Sequence, residues 1–131
     1  MMLDSIGELN ITIYGAPRTK KNSQRLVNVN GRSIPLPSKA YKDYEKAALA
    51  QIPNAFRLHI ESLCNVKCIY YMPARRAVDL NNLLEGTTDM LVRAGVLEDD
   101  NSRIVGGHDG SRVRHDKNRP RVEITISKLE D

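Results

Sequence analysis

Apolar and polar side chains alternate in three separate segments of the chain, residues 9–14, 64–71 and 121–126. A period of two is typical of β-strands that bury one face. Two shorter apolar runs flank Asn30 and Gly31, the dipeptide most typical of a type I′ hairpin. The pattern therefore predicts strands at the start, middle and end of the chain, with a hairpin after the first strand.

Two further segments have the helical period. Tyrosines and alanines recur at helical spacing between Ser38, which suits an N-cap, and Pro53, which stops a helix. In residues 80–94 the leucines fall on one side, and Asn82, Glu85, Asp89 and Arg93 fall on another. Asn81 or Asn82 is expected to cap the start of this second helix, and Gly95 to follow its end.

This order of elements predicts an α+β fold, in which a mixed β-sheet is covered by about two main helices. With 131 residues, 40% apolar and 27% charged, the chain is expected to form a single domain over residues 1–131. That composition makes a disordered chain unexpected. No apolar run is long enough for a membrane span, and the first ten residues lack an export signal.

Cys64 and Cys68 are the only two cysteines. On one strand they would lie about 13 Å apart, which is too far for a disulfide. Two free thiols fit a reducing cytoplasm, so we expect a cytoplasmic protein. The net charge of +4 permits an acidic partner such as nucleic acid without requiring one.

A basic run follows the first strand, over residues 18–25. It contains Lys20, Lys21 and Arg25 and no apolar anchor. One interpretation is a solvated loop. The other is an arm that contacts phosphates, because arginine, lysine, asparagine, serine and glutamine are the usual donors to phosphate oxygens.

Acidic side chains cluster in residues 79–100, at Asp79, Glu85, Asp89 and the run Glu98 to Asp100. Like charges repel when they approach one another, and a shared cation would remove that cost. Carboxylate oxygens suit Mg²⁺ or Mn²⁺. The alternative is structural, because an aspartate before a helix is commonly a cap and acidic pairs are commonly exposed loop. A metal site would require the fold to bring these residues together.

The ordered motifs in this stretch resemble those of the RusA family of Holliday junction resolvases. The resemblance rests on Met72-Pro73, Arg75-Arg76, Asp79-Leu80-Asn81-Asn82-Leu83, Asp89, Arg93-Ala94-Gly95 and Asp99-Asp100. It covers most of the chain in order and size, and about 30 residues in detail. It implies a small homodimer, common in phages and prophages, that binds four-way DNA junctions and cuts two strands symmetrically with magnesium.

Carried over by position, the resemblance makes Asp79 and Asp100 the essential carboxylates, with Asp99 beside the second. Position 81 matches another family aspartate, and position 85 matches a catalytic lysine. Here they are Asn81 and Glu85. In one interpretation Glu85 replaces the missing carboxylate. Asp79, Glu85 and Asp100 then act together, with metal contacts also from Asn81 and Asp99. In the other, the protein has lost cleavage and only binds branched DNA. We favour the first interpretation.

Under the same resemblance, Lys20, Lys21, Arg25, Arg75 and Arg76 become candidate DNA contacts. Arg75 and Arg76 are favoured because they stand next to Asp79 in the sequence. Three further basic residues are weaker candidates: Arg112, Arg114 and Lys117. A nuclease without junction preference is a further alternative.

Overall fold

The computed structural model describes Leu3, residues 7–19 and residues 24–130. Two helices and a short 3₁₀ helix accompany seven strands in this part of the chain. In chain order the elements are β1 (Glu8–Tyr14), β2 (Gln24–Val29), β3 (Arg32–Pro37), α1 (Lys39–Ala50), the 3₁₀ helix (Asn54–Phe56), β4 (Cys64–Met72), α2 (Leu80–Arg93), β5 (Val105–Gly107), β6 (Arg112–His115) and β7 (Arg121–Lys128).

Five of the strands form one mixed sheet in the order β1-β7-β4-β5, with β6 also paired to β4. β7 is antiparallel to both β1 and β4, while β5 and β6 run parallel to β4 along its other edge. β2 and β3 form a separate two-stranded hairpin. The predicted α+β class with a mixed sheet and two helices is confirmed.

One face of the sheet forms the core. Val66, Cys68 and Tyr70 on β4 are buried, and so are the alternate residues of β1 and β7. The helices supply the facing side chains, with Leu83 and Leu91 of α2 buried in the same cluster. The side chains on the other face of β1, β7 and β4 are exposed or half-buried, apart from Asn65. The period-two pattern thus identified the buried face correctly, because each long strand buries one side only.

The hairpin turn has the expected geometry. Asn30 and Gly31 both have positive φ, 51° and 78°, as a type I′ turn requires. β2 pairs with β3 in register from Gln24↔Pro37 to Val29↔Arg32. Arg25 lies within β2, so the basic run does not extend as loop to residue 25 as its composition suggested.

Ser38 caps α1 as predicted, because its Oγ accepts a hydrogen bond from the Tyr41 amide at 3.1 Å. The predicted N-cap of α2 is wrong. The helix begins at Leu80, and its N-cap is Asp79 rather than Asn81 or Asn82. An aspartate caps a helix as well as an asparagine does, and here its extended backbone (φ −82°, ψ 110°) ends the preceding loop.

The end of α2 follows the prediction. Ala94 is the C-cap and Gly95 follows it with φ of 78°. A Cβ at Gly95 would lie 3.0 Å from Nε2 of His59. Both the backbone angle and the close ring therefore favour glycine there.

Both cysteines are buried and free. Burial raises the pKa of the Cys64 thiol to about 11 and that of Cys68 to about 12. Within the described residues, no helix is both long enough and apolar enough to cross a membrane.

Candidate metal and nucleic-acid site

Two segments leave the sheet at the same end of its strands. β1 and β4 flank β7 and both run antiparallel to it, so they run in the same direction and end at the same end of the sheet, at Tyr14 and Met72. The residues that follow β1 and those that lead from β4 into α2 line a cavity of about 370 Å³. The cavity walls include Pro17, Met72 and Val78, and two guanidinium groups reach it, from Arg18 and Arg76.

Asp79 lies at this edge, at the start of α2. Its Oδ1 accepts hydrogen bonds from the amides of Asn81, at 2.9 Å, and Asn82, at 3.3 Å. The side chain is exposed. The carboxylate therefore stabilises the start of α2 through Oδ1, and its second oxygen, Oδ2, adds further acceptor capacity.

Asn81 and Glu85 lie on the exposed side of α2. They are four residues apart, so their side chains are neighbours on the helix surface. Glu85 stands one helical turn beyond Asn81. An additional carboxylate is therefore present close to the place where Asn81 contributes only an amide.

Asp99 and Asp100 lie beyond the other end of α2 and differ in environment. Asp99 is held inside its own turn, because its Oδ1 accepts from the Asp100 amide at 2.7 Å and its Oδ2 accepts from Asn101 Nδ2 at 3.0 Å. These hydrogen bonds favour the ionised form, and they lower the pKa of Asp99. Asp100 is exposed beside it. Of the two, Asp100 is the better placed to give oxygens to a ligand.

The two acidic groups lie at opposite ends of α2. The helix has 14 residues, which separates its ends by roughly 20 Å at about 1.5 Å per residue. After the helix, the Glu98 amide donates to the Ile60 carbonyl, which fixes this segment beside the residues that precede β4. Asp79 instead follows the far end of β4.

A single chain therefore does not bring Asp79 and Asp100 together. In the described residues, no group of three or more histidine, cysteine, aspartate or glutamate side chains is arranged to hold a metal ion. These residues have the donor chemistry that suits Mg²⁺, and the described part of the chain does not assemble them into a site.

Among the predicted DNA contacts, Arg75 and Arg76 are exposed on the loop between β4 and α2. Arg76 also lines the cavity described above, and the two arginines precede Asp79 by four and three residues in the chain. Lys20 and Lys21 lie outside the described residues, and Arg25 lies in β2.

Two residues that contact the end of β4 and the start of the following loop were not predicted as part of any site. His115 Nε2 donates to the carbonyl of Pro73 at 3.2 Å, and the amide of Asp116 donates to the carbonyl of Met72 at 2.9 Å. These hydrogen bonds hold the beginning of the arginine-bearing loop against the end of β6. Only the parallel pairing of β6 with β4 brings them there, and local sequence patterns do not reveal such a long-range pairing.

Arg121 holds Asp116 in place, because its Nη1 donates to Asp116 Oδ2 at 2.9 Å. That hydrogen bond, with those from the backbone amides of Arg119 and Asn118, lowers the pKa of Asp116. The Nε of Arg121 donates to Glu123, and the carboxylates of Glu123 and Asp116 together raise the pKa of the Arg121 guanidinium. The pairing keeps the turn before β7 in a single arrangement.

Residues 15–127 match the family model of Endodeoxyribonuclease RusA. The chain belongs to the RusA family. The match begins immediately after β1 and ends within β7, so it contains both ends of α2 and the arginine-bearing loop. A comparison with curated proteins found no match.

Membership of the RusA family makes this chain an endodeoxyribonuclease, a hydrolase that acts on DNA, of a family that acts on Holliday junctions. The resemblance found in the motifs around Asp79 is thereby confirmed for the chain as a whole.

Proposed function

We propose that this RusA-family protein is a magnesium-dependent endonuclease that resolves four-way DNA junctions by cutting two strands symmetrically. The family match carries the proposal. The exposed carboxylates of Asp79 and Asp100, with arginines beside Asp79, support it. Mn²⁺ is expected to substitute for Mg²⁺, because both prefer oxygen ligands.

We further propose that the active unit is a homodimer in which each site is shared by two subunits. The supporting observation is the separation of Asp79 and Asp100 along α2. A two-fold axis that sets the α2 helices antiparallel would place the start of one helix near the end of the other. Because such an interface is self-complementary, it would create two equivalent sites at once. Two equivalent sites fit the symmetric cutting of two strands.

In each shared site, Asp79 of one subunit and Asp100 of the other would hold the metal, with Asn81 and Asp99 as additional oxygen donors. A bound Mg²⁺ would polarise the scissile phosphate and promote ionisation of the attacking water. Arg75 and Arg76 would hold the DNA backbone next to the carboxylates. Glu85 would restore the negative charge that Asn81 lacks, because the two side chains are neighbours on α2.

The first experiment tests the chemistry. The wild-type protein is incubated with a synthetic four-way junction and with linear duplex of the same sequence, with and without Mg²⁺. We expect paired nicks in the junction that require the metal. Equal cutting of both substrates would instead favour a nuclease without junction preference, and binding without any nick would favour a branched-DNA-binding protein that has lost cleavage.

The second experiment tests the shared site by complementation. Asp79→Asn and Asp100→Asn are each expected to be inactive. In a mixed dimer of the two variants, one site carries both substitutions and the other carries neither. We therefore expect co-expressed, dual-tagged mixed dimers to regain nicking of a single strand.

The matched control is a dual-tagged dimer that carries Asp79→Asn in both subunits, which should remain inactive. If each site instead lay within one subunit, the mixed dimer would have a substitution in both sites. It would then be as inactive as the control, and the shared-site proposal would fail even if the wild type cut junctions.

A further inference from the structure

The strand registers align four side chains across the open face of the sheet, the face opposite the helices. Tyr14 of β1 pairs with Arg121 of β7, Arg121 pairs with Tyr71 of β4, and Tyr71 pairs with Arg114 of β6. Paired residues on neighbouring strands point to the same side of a sheet. Two residues earlier on the same two strands, Arg112 of β6 pairs with Ile69 of β4.

The aromatic side chains of this row each have a guanidinium group over the ring. Cζ of Arg121 lies 3.8 Å from the centroid of the Tyr71 ring, and Cζ of Arg119 lies 4.6 Å from that of Tyr14. A cation at this distance is attracted by the face of the ring. The guanidinium of Arg119 is thus held in place before any ligand arrives, which lowers the entropy cost of using it in binding.

Three of the arginines on this face are available to an anion: Arg112, Arg114 and Arg119. We call them the open-face arginines. All three are exposed, and none of them takes part in an ion pair within the described residues. Arg121 is different, because Asp116 and Glu123 already neutralise it.

We propose that the open-face arginines hold the phosphate backbone of one double-stranded arm of the DNA substrate. This proposal rests on the proposed function, which supplies the DNA substrate, and it adds the protein surface that binds the DNA. The row of side chains crosses four strands, which is about 14 Å at a spacing of about 4.8 Å between strands. A surface of that width can contact several phosphates along a duplex.

The position of the row also fits this substrate. Tyr14 and Tyr71 lie at the ends of β1 and β4, and the arginine-bearing loop and Asp79 follow that same end of β4. Arg112 and Arg114 are two residues apart on one strand, so they project to the same side. A DNA backbone on this face would therefore continue toward the carboxylates, and arginine is the side chain best suited to bind its phosphates.

If the open-face arginines contact only phosphates, their removal should weaken binding to every DNA substrate equally and reduce its salt dependence. Arg112→Gln combined with Arg114→Gln should weaken binding to the junction and to linear duplex by the same factor. The slope of log affinity against log salt should fall by about 1.8, because each lost phosphate contact contributes about 0.9. Binding is measured by fluorescence anisotropy without divalent ions, so that no cleavage is needed.

The matched control removes the same charge from the opposite side of the domain. Lys42 and Lys46 are exposed on α1, which packs on the buried face of the sheet. Lys42→Gln combined with Lys46→Gln should leave the salt slope unchanged. A third variant, Arg119→Lys, keeps the charge and should weaken binding less than Arg119→Gln.

The outcomes separate this inference from the proposed function. A reduced slope with the arginine pair supports the surface even if the wild type never cuts a junction. An unchanged slope, or one reduced equally by the lysine pair, overturns the surface even if the wild type cuts junctions normally. A change of oligomeric state in the arginine variant, seen by light scattering, would also overturn it, because the face would then be a protein interface.

Discussion

Oδ1 of Asp79 accepts a hydrogen bond from the backbone amide of Asn81 at 2.9 Å, and this contact caps α2. The residue that we propose as a metal ligand is therefore also a structural element of its own helix. Capping uses the position of an oxygen atom, whereas metal binding also uses the negative charge. Substitutions can separate these two roles.

Asp79→Asn should keep the stability and lose the cleavage. Asparagine caps helices about as well as aspartate, so we expect the free energy of unfolding to stay close to that of the wild type. Asp79→Ala should also lose cleavage, and in addition should cost about 1 kcal/mol because the cap is gone. Urea unfolding and junction cleavage measure the two effects. Cleavage by Asp79→Asn would remove the carboxylate from the proposed site, and an equal loss of stability in both variants would contradict the capping role.

Much of the fold could be predicted because its signals are local. The alternation in β1, β4 and β7 identified the buried residues, and Asn30 with Gly31 identified the hairpin. The cap of α2 was assigned to the wrong residue, because Asp79 and the asparagines that follow it are all good caps and only the backbone angles decide between them.

The motifs proposed residues for the candidate site, and their arrangement in space could not be predicted. Asp79 caps the start of α2, whereas Asp100 follows the C-cap Ala94 in the chain, so the helix lies between the two residues. The role of His115 depends on the parallel pairing of β6 with β4, two strands that are far apart in the sequence. Such contacts come from topology, which local periodicity does not encode.

The stability of the protein should depend on pH through Asp99 and Asp116. Hydrogen bonds lower the pKa of both carboxyls in the folded state. In the unfolded chain they titrate near about 3.9, so on acidification the unfolded state takes up these protons first. Their stabilisation is therefore complete above the unfolded pKa and is lost as the pH falls through the lower, folded pKa. We expect the free energy of unfolding to fall as the pH is lowered from about 5 to about 2.

Asp116→Asn tests how much of the pH-dependent stability comes from the contact of Asp116 with Arg121. The variant should be less stable than the wild type at pH 7, and the difference should shrink as the pH falls, because the wild-type carboxyl then becomes neutral as well. Urea unfolding at a series of pH values gives both profiles. Profiles that stay parallel throughout would show that the charge of Asp116 contributes nothing.

A buried hydrogen bond joins β4 to α2, and the loss of stability should depend on which of its two partners is removed. The Tyr70 and Thr87 hydroxyl oxygens are 2.7 Å apart, and Thr87 also donates to the Leu83 carbonyl at 2.9 Å. The single proton of Thr87 is thereby used, so Tyr70 is the donor in the pair. Tyr70→Phe should cost about 1 kcal/mol, because Thr87 keeps its other hydrogen bond.

Thr87→Val should cost more, up to about 3 kcal/mol, because it leaves the buried Tyr70 hydroxyl without this acceptor. The double variant should be less destabilised than the sum of the two single variants. Thermal and urea unfolding of the three variants complete the cycle. Thr88→Val is a comparison within the same helix, since Thr88 Oγ1 donates to the Leu84 carbonyl. If Thr87→Val cost no more than Tyr70→Phe, the assigned direction of the hydrogen bond would be wrong.

Arg57 joins the ends of both helices, and its removal should destabilise the whole domain. Its Nη1 donates to the carbonyl of Ala94, the C-cap of α2, at 3.2 Å. Its Nη2 donates to the carbonyls of Leu49, at 3.1 Å, and Ile52, at 3.3 Å, at the end of α1. A cation is favoured at a helix C-terminus, and here one guanidinium group lies at the C-termini of both α1 and α2. We expect Arg57→Met, which keeps much of the apolar stem, to lower the free energy of unfolding by about 2 kcal/mol.

Arg57→Lys should recover only part of this loss, because one ammonium group cannot reproduce the planar arrangement that reaches both helices. Arg32→Met is the matched control, since Arg32 is exposed at the start of β3 beside the hairpin turn. Urea unfolding of all three variants measures the difference. Complete recovery with lysine would mean that the charge alone stabilises the two helix ends, and the pairing of α1 with α2 would then have to be explained by their apolar contacts.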